Sequence, residues 1–103
     1  MLGGEREAQK IEGFDVGASP REFLEAGDKP LILTTTNGTR AILTAAASCG
    51  EVVLGSLLNL DAVAAAARER GEDAVVVCAG FQNAFALDDA YCAGRIVELL
   101  PGD

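Results

Sequence analysis

The residues of this chain best equipped for chemistry lie together in Lys29-Pro30-Leu31-Ile32-Leu33-Thr34-Thr35-Thr36-Asn37-Gly38-Thr39-Arg40. An apolar run of strand character feeds three consecutive threonines, an Asn-Gly turn and the opening of an Ala- and Leu-rich helix. A helix start presents N–H groups with no intrahelical acceptor, and its aligned peptide dipoles give that end a partial positive charge. Both favour an anion such as phosphate. Hydroxyls add donors, and arginine adds a permanently charged, bidentate fork. The chemistry expected is the holding of a small, strongly charged anion by Thr35, Thr36, Asn37, Gly38, Thr39 and Arg40. A plainer reading uses the same residues: Asn-Gly makes a turn, and Thr35 or Thr36 caps the helix. Three hydroxyls in a row exceed what one cap needs.

Further candidates lie outside this stretch. Ser56 and Asn59, in Gly55-Ser56-Leu57-Leu58-Asn59, are suited to donate to substrate oxygens, although Asn59 equally suits a helix N-cap. Arg6 follows Gly3-Gly4-Glu5, where the glycines permit close approach to a ligand. Asp88 and Asp89 open the last helical pattern, where acidic side chains complement the dipole.

The elements that must position these groups follow from apolar periodicity. Residues up to 28 are punctuated by glycine and read as irregular, with one short helix. Ser19 is its expected N-cap, Pro20 its first position and Glu22 the partner in a capping box, and Gly27 ends it. Thereafter strands are expected at 31–35, 51–54 and 74–79, and helices at 39–48, 60–70 and 87–100, with Gly71 stopping the second. The order βαβαβα, with strands apolar on both faces, predicts a single α/β domain over 1–103: a parallel-rich sheet flanked by helices. Right-handed crossovers would bring the loops at 34–39, 55–59 and 80–86 to one sheet edge, where small molecules bind in open α/β sheets.

Composition narrows the partners. The chain has a net charge of −8 and no histidine. Such acidity repels nucleic acid and anionic lipid, so neither is expected as a partner. The lack of histidine excludes imidazole general acid–base catalysis by this segment and the usual His-containing zinc sites. Cys49, Cys78 and Cys92 are odd in number and form no CxxC pair, so they read as reduced thiols of a cytoplasmic protein, with Cys78 in the core. No apolar run approaches the ~20 residues that cross a bilayer.

In order along the chain stand Gly3-Gly4-Glu5-Arg6, Gly13-Phe14-Asp15-Val16-Gly17-Ala18-Ser19-Pro20, Thr34-Thr35-Thr36-Asn37-Gly38-Thr39-Arg40, Gly55-Ser56-Leu57-Leu58-Asn59, Cys78-Ala79-Gly80 and Phe85-Ala86-Leu87-Asp88-Asp89-Ala90-Tyr91-Cys92-Ala93-Gly94. This series resembles the ComB family, the 2-phosphosulfolactate phosphatases, over nearly the whole chain. Each motif is weak alone; their order and spacing are specific. The resemblance implies a magnesium-dependent hydrolase that removes phosphate from 2-phospho-3-sulfolactate, a step towards coenzyme M. It also implies that this chain is the central portion of a longer enzyme, whose sheet neighbours would be supplied by a missing segment or replaced by self-association as a homo-oligomer. In such an enzyme Asp88 and Asp89 are the expected magnesium ligands, with Glu5 and Asp15 as lesser candidates, since magnesium needs one or two carboxylates plus water and substrate oxygens. Arg6, Ser56, Asn59 and the threonine turn would hold substrate. The attacking group stays open among water, a carboxylate and a cysteine. The competing expectation is a non-catalytic remnant or self-associating α/β module.

Overall fold

The structure is a computed structural model that describes residues 1–102. The chain divides into two compact units, the first covering Met1–Arg40 and the second beginning at Ala41.

The first unit is built on a small mixed sheet. Strand β1 (Leu2–Arg6) turns back into the two-residue strand β2 (Gln9–Lys10), and β3 (Ile32–Thr34) completes the order β2-β1-β3. β1 and β2 are antiparallel, whereas β1 and β3 are parallel, with Leu2 opposite Ile32, Gly3 opposite Leu33 and Gly4 opposite Thr34. Two glycines in β1 let other backbone and side chains close on it. A Cβ on Gly4 would lie 2.2 Å from the Thr34 carbonyl oxygen, and one on Gly3 would lie 3.0 Å from Val16 Cγ2. Val16 is buried there, and its N–H and that of Asp15 both donate to the Leu2 carbonyl, at 3.2 and 2.9 Å. A 3-10 turn at Glu22–Ala26 buries Ala26 and stops at Gly27.

Two expectations for this region are corrected. The segment before residue 28 contributes two of the three strands of the sheet rather than irregular chain. Leu2-Gly3-Gly4-Glu5-Arg6 is poor in β-branched and aromatic residues, so local propensity argues against the strand that pairing with β3 enforces. The capping box at Ser19 also does not form. Arg21 occupies the cap position without a side-chain bond, and the Glu22 carboxylate instead accepts the Gly17 N–H at 2.8 Å.

The second unit is helical. α1 (Gly38–Ser48) starts in the last residues of the first unit and continues into it, followed by α2 (Leu60–Arg70) and α3 (Leu87–Glu98). α2 packs on α3, burying Ala64 and Ile96. The Arg68 guanidinium caps the far end of α3 by donating to the Leu99 carbonyl at 2.7 Å. Gly71 ends α2 in the left-handed region, φ 64°, as its position predicts.

Among the described residues the full βαβαβα order is not formed. Segments 51–54 and 74–79 form no strand ladder, so one of the three expected strands is realised, as Ile32–Thr34. A strand is half of a hydrogen-bonded pair, and apolar composition without an adjacent partner does not make one. Val75 and Val77 are accordingly 82% and 58% exposed, and Cys78 is exposed instead of lying in a core. All three cysteines are free.

Candidate functional site

In the first unit, β1 and β3 run side by side in the same direction, and their last paired residues are Gly4 and Thr34. The β1–β3 ladder therefore ends at one edge, where β3 stops and β1 goes on to pair with β2 alone. Two sets of groups meet there: Glu5 and Arg6 at the end of β1, and the threonine turn and head of α1 beyond β3.

Arg6 reaches across this edge. One guanidinium nitrogen, Nη2, donates to Thr34 Oγ1 at 3.2 Å, and Nη1 donates to the Glu5 carbonyl at 2.8 Å. Thr34 Oγ1 is in turn 3.4 Å from Thr39 Oγ1. Thr35 and Thr39 cap the helix reciprocally. The Thr35 N–H donates to Thr39 Oγ1 at 2.9 Å, and the Thr39 N–H donates to Thr35 Oγ1 at 3.3 Å. The capping reading of Thr35 is thus realised. Asn37 and Gly38 are half-buried at the start of α1, and Arg40 is exposed on its first turn.

Thr36 is engaged by Glu5. Its N–H donates to Glu5 Oε1 at 2.5 Å and its hydroxyl to Glu5 Oε2 at 2.9 Å. The same carboxylate accepts the Ala8 N–H at 3.0 Å, and the Glu7 N–H donates to Thr36 Oγ1 at 3.2 Å. The Thr36 N–H bond is the main cause that holds the Glu5 carboxyl below its ordinary value of 4.5, with partial burial opposing it and Ala8, the Thr36 hydroxyl and the Arg6 charge assisting. The edge thus carries one guanidinium and one carboxylate on adjacent residues, each joined to a different threonine.

The sequence marks Arg6 as a substrate contact and Glu5 only as a lesser magnesium candidate, whereas the structure makes Glu5 the acceptor for the threonine turn. Glu5 and Thr36 are separated by 31 residues. No helical or strand period links positions that far apart, so the pairing of β1 with β3 is the signal that would have revealed it.

In the second unit, Ser56 and Asn59 are brought together. Asn59 Oδ1 accepts both the Ser56 N–H at 2.7 Å and the Ser56 hydroxyl at 3.2 Å, and Asn59 Nδ2 donates to the Leu54 carbonyl at 2.9 Å. Asn59 holds the N-cap position of α2, but its side chain closes the preceding turn and makes no cap bond. Before α3, Phe81 and Ala84 bracket a tight turn with Gln82 and Asn83 at φ 49° and 63°. The Asp89 carboxylate, in the first turn of α3, accepts the Gly80 N–H at 2.6 Å and fixes this loop to the helix. Asp88 is exposed beside it.

Oxygen donors are what magnesium selects, and it requires one or two carboxylates beyond water and substrate oxygens. Asp88 and Asp89 fit that donor chemistry, with Asp89 already oriented by Gly80. Among the described residues no group of three or more Cys, Asp and Glu side chains is gathered as a metal site. No helix among those residues is long and apolar enough to cross a membrane.

Comparison with known proteins adds to this geometry. The sequence model of 2-phosphosulpholactate phosphatase matches residues 1–103. A protein of Caldanaerobacter subterraneus subsp. tengcongensis is 50% identical over 102 residues, covering 97% of this chain and 42% of its own length. One from Clostridium acetobutylicum is 46% identical over 100 residues, again 42% of its length, and one from Symbiobacterium thermophilum is 45% identical over 104 residues, 44% of its length. Each is named "Probable 2-phosphosulfolactate phosphatase". The chain spans less than half the length of these relatives.

Proposed function

This chain belongs to the 2-phosphosulfolactate phosphatase family, and we propose that it carries the substrate-holding part of a magnesium-dependent hydrolase that converts 2-phospho-3-sulfolactate to 3-sulfolactate and phosphate, a reaction of the coenzyme M biosynthetic type. The observation that carries this reading is the Arg6 guanidinium seated on Thr34 beside the head of α1, at the end of the parallel β1–β3 ladder. Ligands of open α/β sheets bind outside the carboxyl ends of the strands. In phosphoryl transfer, charge spreads over the equatorial oxygens, and positioned donors that neutralise it supply most of the catalysis. Arg6, Gly38, Thr39 and Arg40 serve that purpose. Thr35, Thr36 and Asn37 shape the turn, and Ser56 and Asn59, in the second unit, are kept as candidate substrate contacts on their residue types alone. Asp88 and Asp89 would hold magnesium, which supplies Lewis-acid polarisation of a phosphoryl oxygen and offsets the negative charge of protein and substrate.

The test is phosphate release from phosphosulfolactate by the purified chain. The expected result is release that needs magnesium and stops with a chelator. A folded chain that releases none above buffer would refute activity of this segment by itself. A second reading, a non-catalytic module that self-associates or pairs with a missing segment, is favoured by the apolar side chains left open in the second unit, Leu58 at 84% and Val75 at 82% exposure. Burying such side chains against a partner is favourable at about 25 cal/mol per Å² of apolar surface. Light scattering on the same preparation separates the readings: inactive dimers support the second, and active monomers overturn it.

A further inference from the structure

The hairpin between β1 and β2 turns through Glu7 and Ala8, at φ 52° and 63°. Two-residue hairpins favour this mirror-image turn because it matches strand twist, but the turn asks for Asn or Gly at both positions. Neither glutamate nor alanine is at ease there, since a Cβ in the left-handed region crowds the following carbonyl. Strained backbone persists where the surroundings over-determine it. Here the surroundings are two groups. The Glu5 carboxylate accepts the Ala8 N–H, and Thr36 Oγ1 accepts the Glu7 N–H, while Glu5 also takes both donors of Thr36. One carboxylate therefore ties the unfavourable hairpin turn to the threonine turn. Arg6 lies between Glu5 and Glu7, and its guanidinium reaches Thr34 Oγ1 from this tied segment.

We infer that Glu5 is a positioning residue for anion binding: it holds the β1–β2 turn against the threonine turn so that Arg6 stays aimed at Thr34 and at the anion beside α1. The inference rests on the anion-holding reading of this edge given above. It makes a prediction opposite in sign to simple electrostatics. A carboxylate next to an anion site repels the anion, so removing its charge should tighten binding if proximity were all that mattered. If positioning dominates, removal weakens binding.

The experiment is a titration of the isotope-labelled chain with inorganic phosphate, followed by NMR at the backbone amides of 34–40. In the wild type, phosphate shifts these amides. Glu5→Gln should move the Thr36 and Ala8 amides upfield, and weaken phosphate binding about tenfold, one lost charge-assisted hydrogen bond's worth. Ala8→Gly in the Glu5→Gln background relieves the left-handed turn and should recover most of the lost affinity, a rescue that a simple charge effect would not show. Should Glu5→Gln not fold, Glu5→Asp, which keeps the charge but shortens the reach by one methylene, must show the same weakening and the same rescue. Equal or tighter binding in a folded Glu5→Gln chain, or no rescue by Ala8→Gly, would overturn the inference and leave the anion site standing. A wild-type chain whose 34–40 amides ignore phosphate would overturn both, even with the Thr36 and Ala8 amides still responding to Glu5→Gln.

Discussion

Gly4 offers the most direct test of the strand pairing on which the candidate site depends. Replacing it with alanine adds one carbon, and that carbon would stand 2.2 Å from the Thr34 carbonyl oxygen, a backbone atom that cannot rotate away. Relief requires β1 and β3 to separate by roughly 1 Å at the last pair of their ladder, judged against the ordinary C···O approach of about 3.3 Å. Overpacking of this sort costs about 1–3 kcal/mol. The Gly4 N–H also donates to the Gly17 carbonyl at 3.1 Å, and that bond is strained by the same movement. A weakened backbone bond adds about 0.5–1.5 kcal/mol. The expected loss is therefore about 2–4 kcal/mol, a large share of the 5–15 kcal/mol typical of a domain. Because the chain has two compact units, the assay must read the first one. Urea unfolding followed through the amide resonances of Gly3, Val16 and Thr34 does so. Gly50→Ala is the control: nothing lies within 4 Å of its added Cβ, and it should stay within about 0.5 kcal/mol of wild type. A Gly4→Ala midpoint indistinguishable from that of the control would refute the close parallel pairing, and with it the placement of Arg6 over Thr34.

Glu5 gives a pH signature. Its folded pKa lies below the ordinary 4.5, so its contribution to stability is fully present above 4.5 and is lost as pH falls through the lower folded value. The difference in urea midpoint between wild type and Glu5→Gln should stay constant from pH 7 to about 5 and shrink below that, and a difference that grows on acidification would contradict the sign. Asp89→Ala should raise amide exchange at Gly80 by about tenfold, the equivalent of ~1.4 kcal/mol for a charged acceptor lost at a half-exposed site, whereas Asp88→Ala should leave Gly80 unchanged. In the phosphatase assay, Asp88→Asn should raise the magnesium concentration needed for half-maximal release; an unchanged requirement would remove Asp88 from the metal assignment.

What the sequence disclosed and what it withheld divide along one physical line. The helices were legible because their signals are local: Ala- and Leu-rich runs, Gly71 in a position that only a left-handed residue fills comfortably, and an acidic first turn at Asp88-Asp89. The strand at Ile32–Thr34 was legible as an apolar run that ends in hydroxyls. Strands elsewhere failed in both directions. Leu2–Arg6 is a strand because β3 lies beside it, despite two glycines and two charges. Segment 74–79, apolar throughout, is not a strand, because its pairing is not formed. Strand identity thus belongs to the pair, and a pair formed across 30 residues leaves no periodic trace in either partner.

The same division governs the site. Arg6 and the threonine turn were recognisable by type, since guanidinium, hydroxyls and a helix start each favour an anion wherever they occur. Their mutual arrangement was not recognisable, because it depends on the register that sets Gly4 opposite Thr34. The tie that Glu5 makes was not recognisable either. In a chain of net charge −8 its carboxylate reads as a lesser magnesium candidate alongside Asp15, with nothing to mark it as an acceptor for a distant turn. Its meaning comes from the three donors that converge on it, two from a turn 31 residues away and one from a hairpin whose own residues disfavour their conformation. An acidic side chain beside the proposed anion site is a local contradiction, and local contradictions are maintained where the surrounding structure supplies a compensating gain. Here that gain is geometric: the carboxylate fixes the direction of the guanidinium next to it, which is why removing a repulsive charge is expected to weaken the hold on phosphate.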